Sequence, residues 1–112
     1  MDIRFRTATT RSDVDLEAHA RVGLDSRMQH LGDCVDYVEI RIGDAGGRWP
    51  RQDSYCIVRV KLHETPAATV VDIGADAYSA VDRATDRVGR LAAEQLRLAG
   101  TRRTAGPGAS SA

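Results

Sequence analysis

The sequence predicts an α+β domain of order β-α-β-β-β-α, a two-layer sandwich in which a four-stranded sheet carries two helices packed on one face. Three observations predict it. Four short stretches alternate apolar and polar residues with period two, and two longer stretches repeat apolar residues at helical spacing. Each alternating stretch also keeps one polar side, so the sheet needs cover on one face only, and two amphipathic helices supply it. At 112 residues the chain has the length of a single domain. With 4% aromatic residues its core has to be built mainly from Val, Ile, Leu and Ala.

The first strand is residues 2–8, where Ile3 and Phe5 lie on one side and Arg4 and Arg6 on the other. Thr9-Thr10-Arg11-Ser12 breaks the run, and Ser12 with Asp15 three residues on reads as a helix N-terminus of capping-box type. Leu16, Ala20, Leu24, Met28 and Leu31 then give a helix over about 13–31, stopped by Gly32-Asp33. Val38, Ile40 and Ile42 alternate with Tyr37, Glu39 and Arg41 in a second strand over 35–42. Gly43 to Ser54 is rich in Gly with a Pro, which predicts a loop. The third strand, 55–63, points Cys56, Val58, Val60 and Leu62 inward and Ile57, Arg59 and Lys61 outward. After the Glu64-Thr65-Pro66 turn, 68–74 is the fourth strand.

Asp76 has the position of an N-cap for a second helix over about 77–98, since its carboxylate can accept from exposed backbone N–H groups. Ala77, Val81, Ala84, Val88, Leu91 and Gln95 line one face, with Ala92 beside them. Residues 1–99 are therefore expected to form the domain. Residues 100–112, small and polar with Gly and Pro, are expected to form a disordered tail.

Sixteen basic residues balance sixteen acidic ones, so net charge does not point to nucleic acid. Binding to RNA would require the charges to be sorted onto different faces. Fifteen of the sixteen cations are Arg and Lys61 is the only lysine, which suits bidentate phosphate contacts, although a G- and C-rich genome gives the same bias. No run approaches the roughly 18 apolar residues of a membrane span, and Met1-Asp2-Ile3-Arg4 does not open a signal peptide, so a cytoplasmic protein without a membrane partner is expected. Cys34 and Cys56 would fall at opposite ends of paired strands, too far apart to bridge, and are expected to pack as small apolar residues.

Chemistry of the catalytic kind finds no support. His19, His30 and His63 fall in separate elements without zinc-type spacing to either cysteine. Gly43 to Gly47 lacks the Lys-Ser/Thr and helix of a phosphate loop, and no nucleophile comes with a recognisable base. The expectation is a non-enzymatic chain with no cofactor, no metal and no small-molecule substrate.

Three groups of residues remain as candidates for binding. At 100° per residue Arg83, Arg87, Arg90 and Arg97 share a narrow sector of the second helix, opposite Val81, Val88 and Leu91, and such a stripe can track phosphates. The competing account is a solvated face of intrahelical ion pairs, because Asp82, Asp86 and Glu94 lie close by. Arg4, Arg6, Arg41, Arg59 and Lys61 should cluster on the open sheet face, with Glu39 among them; exposed strands also carry such charges to discourage edge pairing. Arg48, Trp49 and Arg51 place cations beside the only tryptophan, which either stacks on a base or folds back on the core edge.

At the second helix a family pattern is met. Asp76-Ala77-Tyr78-Ser79-Ala80-Val81-Asp82, followed by Asp86-Arg87-Val88-Gly89-Arg90, resembles the D-x-Y-x-A-I-D…D-K-L-x-R-Q-L signature of the ribosome hibernation-promoting factors, a family that includes the ribosome-associated inhibitors and so-called sigma modulation proteins. Met1-Asp2-Ile3-Arg4-Phe5 and Arg27-Met28…Leu31-Gly32-Asp33 match its style, and the resemblance covers about residues 1–98. It implies the same β-α-β-β-β-α fold and a partner in the small ribosomal subunit. Basic residues of both helices would meet ribosomal RNA in the decoding channel and block translation during stress or stationary phase. By position Arg87 and Arg90 match the family's Lys and Arg, Arg27 matches a basic residue late in the first helix, and Asp76 and Tyr78 match motif positions of structural kind. Asp76 would cap the helix, and Tyr78 would anchor it against the sheet or a loop. Where the family continues with a Lys-rich run, this chain has Leu91-Ala92-Ala93-Glu94-Gln95-Leu96, with Arg97, Arg102 and Arg103 further on. The family's long form adds a dimerising domain that this sequence stops short of, so a monomer is expected. The alternative keeps the fold and replaces the ribosome with a protein partner, as a regulatory domain.

Overall fold

In the computed structural model, which describes residues 2–7, 14–46 and 53–111, the alternating stretches become four strands: β1 (Asp2–Thr7), β2 (Val35–Gly46), β3 (Asp53–Leu62) and β4 (Ala68–Gly74). They form one mixed sheet in chain order, with β1 parallel to β2 and the other neighbours antiparallel. A parallel neighbour requires a crossover, and α1 (Val14–Met28) supplies it. The second helix, α2, runs over Ala77–Ser111. The order is β-α-β-β-β-α, and both helices pack on the same side of the sheet.

Register explains the single core. Phe5, Ile40, Val58 and Val70 form one row across the four strands, and Ile3, Val38, Val60 and Ala68 form the next. A slip of one residue on any strand would carry its apolar set to the wet side. Leu16, Ala20, Leu24 and Met28 of α1 cover these rows together with Ala80, Val81, Ala84, Val88 and Ala92 of α2. Cys56 is opposite Ile42, at the other end of β2 from Cys34, and both thiols are free.

Several boundaries differ from those read in the sequence. β2 continues through Gly43–Gly46, because Gly43 and Asp44 pair with Tyr55 and Ser54 through the backbone, which needs no side-chain alternation. The α-helical part of α1 stops at Met28, and a 3-10 segment, Gln29–Cys34, completes the turn. Gly32 within that segment has φ +54°, a conformation that a side chain would strain. α2 is helical to Ser111, past the expected end near residue 98, although Gly100 and Gly106-Pro107-Gly108 are residue types that disfavour a helix interior. Its buried face is also rotated toward Ala80 and Thr85, leaving Leu91 and Gln95 half-buried. Thr85 tolerates full burial because its hydroxyl donates to the Val81 carbonyl at 2.8 Å. The Ser12 cap and the Arg48–Trp49–Arg51 loop lie outside the described residues.

The two helices touch where glycine leaves room. A Cβ on Gly89 of α2 would stand 3.0 Å from the Arg27 Cβ of α1. Replacement of Gly89 by Leu should therefore push the helices apart and lower stability by about 2 kcal/mol in a denaturant titration. The thiols give a second check. Burial, helped by the neighbouring Asp72 carboxylate, pushes the Cys56 thiol up to about 12, and the thiolate is the reactive form. A disulfide reagent at pH 8 should titrate one thiol, the half-exposed Cys34, in the native protein and two after unfolding.

Candidate nucleic-acid interface

Two surfaces carry the arginines, and they differ in what those arginines already hold. On the helix side the family-like motif is mainly a set of ties. The Asp76 carboxylate accepts from the Ser79 N–H at 2.7 Å, capping α2 as the sequence predicts. His19 of α1 donates to Asp82 at 2.6 Å and meets the Tyr78 ring edge-on, with centroids 5.0 Å apart. One contact of Tyr78 is thus with the first helix. Asp86 stands between Arg90, at 2.6 Å, and Arg27 of α1, at 3.7 Å. Arg27 also donates to the Gly23 carbonyl.

Of the four arginines of the α2 stripe, three are engaged. Arg87 donates to the Asp72 carboxylate at 3.0 Å and to the Val71 carbonyl at 3.1 Å, stapling α2 to the outer edge of β4. Arg97 holds Glu94 through two hydrogen bonds, which keep the Glu94 carboxyl below its ordinary range. Arg83 alone has no ion pair among the described residues. The stripe exists, and much of its charge is answered by acids a turn or less away.

The open face of the sheet is sorted differently. Arg4, Arg6, Arg41, Arg59 and Lys61 stand there against Asp2 and Glu39. Arg4 is held by both acids, at 3.0 and 3.5 Å, with its guanidinium 4.6 Å from the Tyr37 ring centre. Lys61 bonds to the Leu62 carbonyl and approaches Asp36 at 3.9 Å. Arg6, Arg41 and Arg59 have no ion pair among the described residues. Beside the cations, toward β4, the face turns apolar: Val71 and Ile73 are 52% and 53% exposed. No group of three metal-ligating side chains occurs among the described residues, and no described helix is long and apolar enough to cross a membrane.

The sequence missed Asp72 as a partner for Arg87, although a signal was present. Asp72 occupies an inward position of β4, opposite Cys56, and its side chain is 17% exposed. A carboxylate at an inward position needs a cation to hold it.

No protein-family model matches this chain, and no curated protein matches it in sequence. Solved structures do match. The N-terminal domain of protein Y from Thermus thermophilus superposes with a TM-score of 0.67 at 18% identity, over 81% of this chain and 94% of that one. A ribosomal subunit interface protein from Coxiella burnetii superposes with a TM-score of 0.71 at 15% identity, over 87% of this chain and 99% of that one. The fold is the one that the second-helix motif led us to expect.

The different states of the arginines make a prediction. Arg87→Met should cost about 1–2 kcal/mol, because it leaves the Asp72 carboxylate and the Val71 carbonyl without their donor. Arg83→Met should stay within about 0.5 kcal/mol of the parent protein. Thermal melts of the two variants compare them directly.

Proposed function

We propose that this chain associates with the ribosome, lays the outer surface of α1 and α2 on ribosomal RNA in the decoding channel of the small subunit, and so restrains translation during stress or stationary phase. The observation that carries this reading is the likeness of fold over nearly the whole length of a ribosomal subunit interface protein. The helix motif supports it independently, since Arg87 and Arg90 fall on the basic positions of that signature.

Arg27, Arg83, Arg90 and Arg97 are the groups for phosphate contact on this surface. The pairs of Arg27 and Arg90 with Asp86 and of Arg97 with Glu94 join exposed groups, and solvent screening leaves such pairs weak. A phosphate brought to the surface can replace the carboxylate as acceptor, so internal pairing weakens binding without forbidding it. Arg87 is the exception, because it also fastens α2 to β4. The same internal pairing favours a second reading, a regulatory domain for a protein partner. Retention of a partner after nuclease treatment distinguishes it.

Ribosome pelleting tests the proposal. The chain should co-sediment with intact ribosomes at low salt. If it neutralises four phosphates, its affinity should fall on the order of 100-fold between 50 and 200 mM salt. The double variant Arg83→Glu, Arg90→Glu should stay in the supernatant while melting like the parent chain. Failure of the parent chain to pellet at 50 mM salt would sink the proposal.

A further inference from the structure

Arg6 and Arg41 are direct cross-strand partners on the open face of the sheet, and Arg59 stands one row along on β3, opposite Glu39. Like charges set opposite each other weaken a strand pair, so their placement calls for a reason beyond folding. The chain has acids enough to answer its cations: Arg4, Arg21, Arg27, Arg87, Arg90 and Arg97 each have a carboxylate within 4 Å. Arg6, Arg41 and Arg59 have none among the described residues. All three border one shallow depression of about 300 Å³, which Ile57 and Thr69 also line.

We propose that Arg6, Arg41 and Arg59 form a binding site for a compact polyphosphate, the di- or triphosphate group of a small phosphorylated molecule. Three guanidinium groups with no carboxylate within 4 Å among the described residues match a ligand of two or more negative charges and many acceptor oxygens. A carboxylate, with one charge and two oxygens, answers one or two arginines and leaves the third without an acceptor. The arginines surround a single depression instead of following one strand, which suits adjoining phosphates better than the spaced phosphates of a nucleic-acid backbone. The tyrosines of this face argue in the same direction. Tyr37 lies beneath the Arg4 guanidinium, and Tyr55 covers Gly43, where an added Cβ would stand 2.6 Å from the tyrosine hydroxyl. Neither ring is presented as a platform on which a strand of bases would stack. Ile57 and the exposed Val71 instead offer an apolar border for the organic part of the ligand. Glu39 also lines the depression and is held by Arg4 at 3.5 Å, which limits its opposition to an anion.

The site lies on the side of the sheet opposite α1 and α2, so it stands or falls apart from ribosome association. Titration of the full chain with pyrophosphate at constant ionic strength, followed by proton–nitrogen NMR including the arginine side-chain signals, is the test. We expect saturable shifts confined to Arg6, Arg41, Arg59 and the neighbouring backbone, with an apparent Kd at least tenfold below that for orthophosphate. Arg41→Gln and Arg59→Gln should each weaken binding tenfold or more with unchanged melting temperature, whereas Arg90→Gln should leave it untouched. Non-saturating shifts, or shifts spread equally over the arginines of α2, overturn the proposal. So does tighter binding at this face of a short single-stranded RNA or a poly-glutamate peptide than of pyrophosphate.

Discussion

A sheet covered on one side divides every strand between a dry face and a wet one, and the rest of this molecule depends on that division. Rows such as Phe5-Ile40-Val58-Val70 can form only if all four strands keep the same register. Once they do, the intervening residues have no choice of side. Arg6, Arg41 and Arg59 reach the same face as a consequence of the apolar core. Concentration of charge on the wet face therefore costs no additional folding device.

The helix side shows how a neutral chain spends its acids. Asp82 and Asp86 each tie α2 to α1, through His19 and Arg27, and Asp72 ties α2 to β4 through Arg87. The first two contacts join elements far apart in sequence and the third joins consecutive ones, so in all three the acids serve docking and charge balance together. The close approach at Gly89 brings α1 near enough for Asp86, already paired with Arg90 of its own helix, to reach Arg27 as well. A bulky residue at that crossing would disturb packing and electrostatics at once, which couples the stability of the helix pair to the charge it presents.

The two faces consequently offer different kinds of binding. On α2 the guanidinium groups of Arg87, Arg90 and Arg97 must exchange a carboxylate for a phosphate, so a partner there competes with the protein's own acids. On the sheet three guanidinium groups stand without such a competitor among the described residues. A chain whose charges cancel in total can thus still hold an anion, provided its acids are placed elsewhere. Surface potential is a property of arrangement, and composition does not report it.

The sequence by itself determined the order of the elements, the inward and outward sides of β1, β2 and β3, the buried stripe of α1 and the cap at Asp76, because each follows from local periodicity or from contacts within a few residues. It also showed that Arg4, Arg6, Arg41, Arg59 and Lys61 would share a face. Only the tertiary structure decided which arginines are engaged: Asp72 and Arg87 are fifteen residues apart, and the inward position of Asp72 calls for a cation without saying which. It decided the burial of Thr85 and the extension of β2 through its glycines as well, since backbone pairing and helix packing override residue type there. Periodicity records the side to which a residue points. The partner it finds there depends on distances that only the folded chain defines.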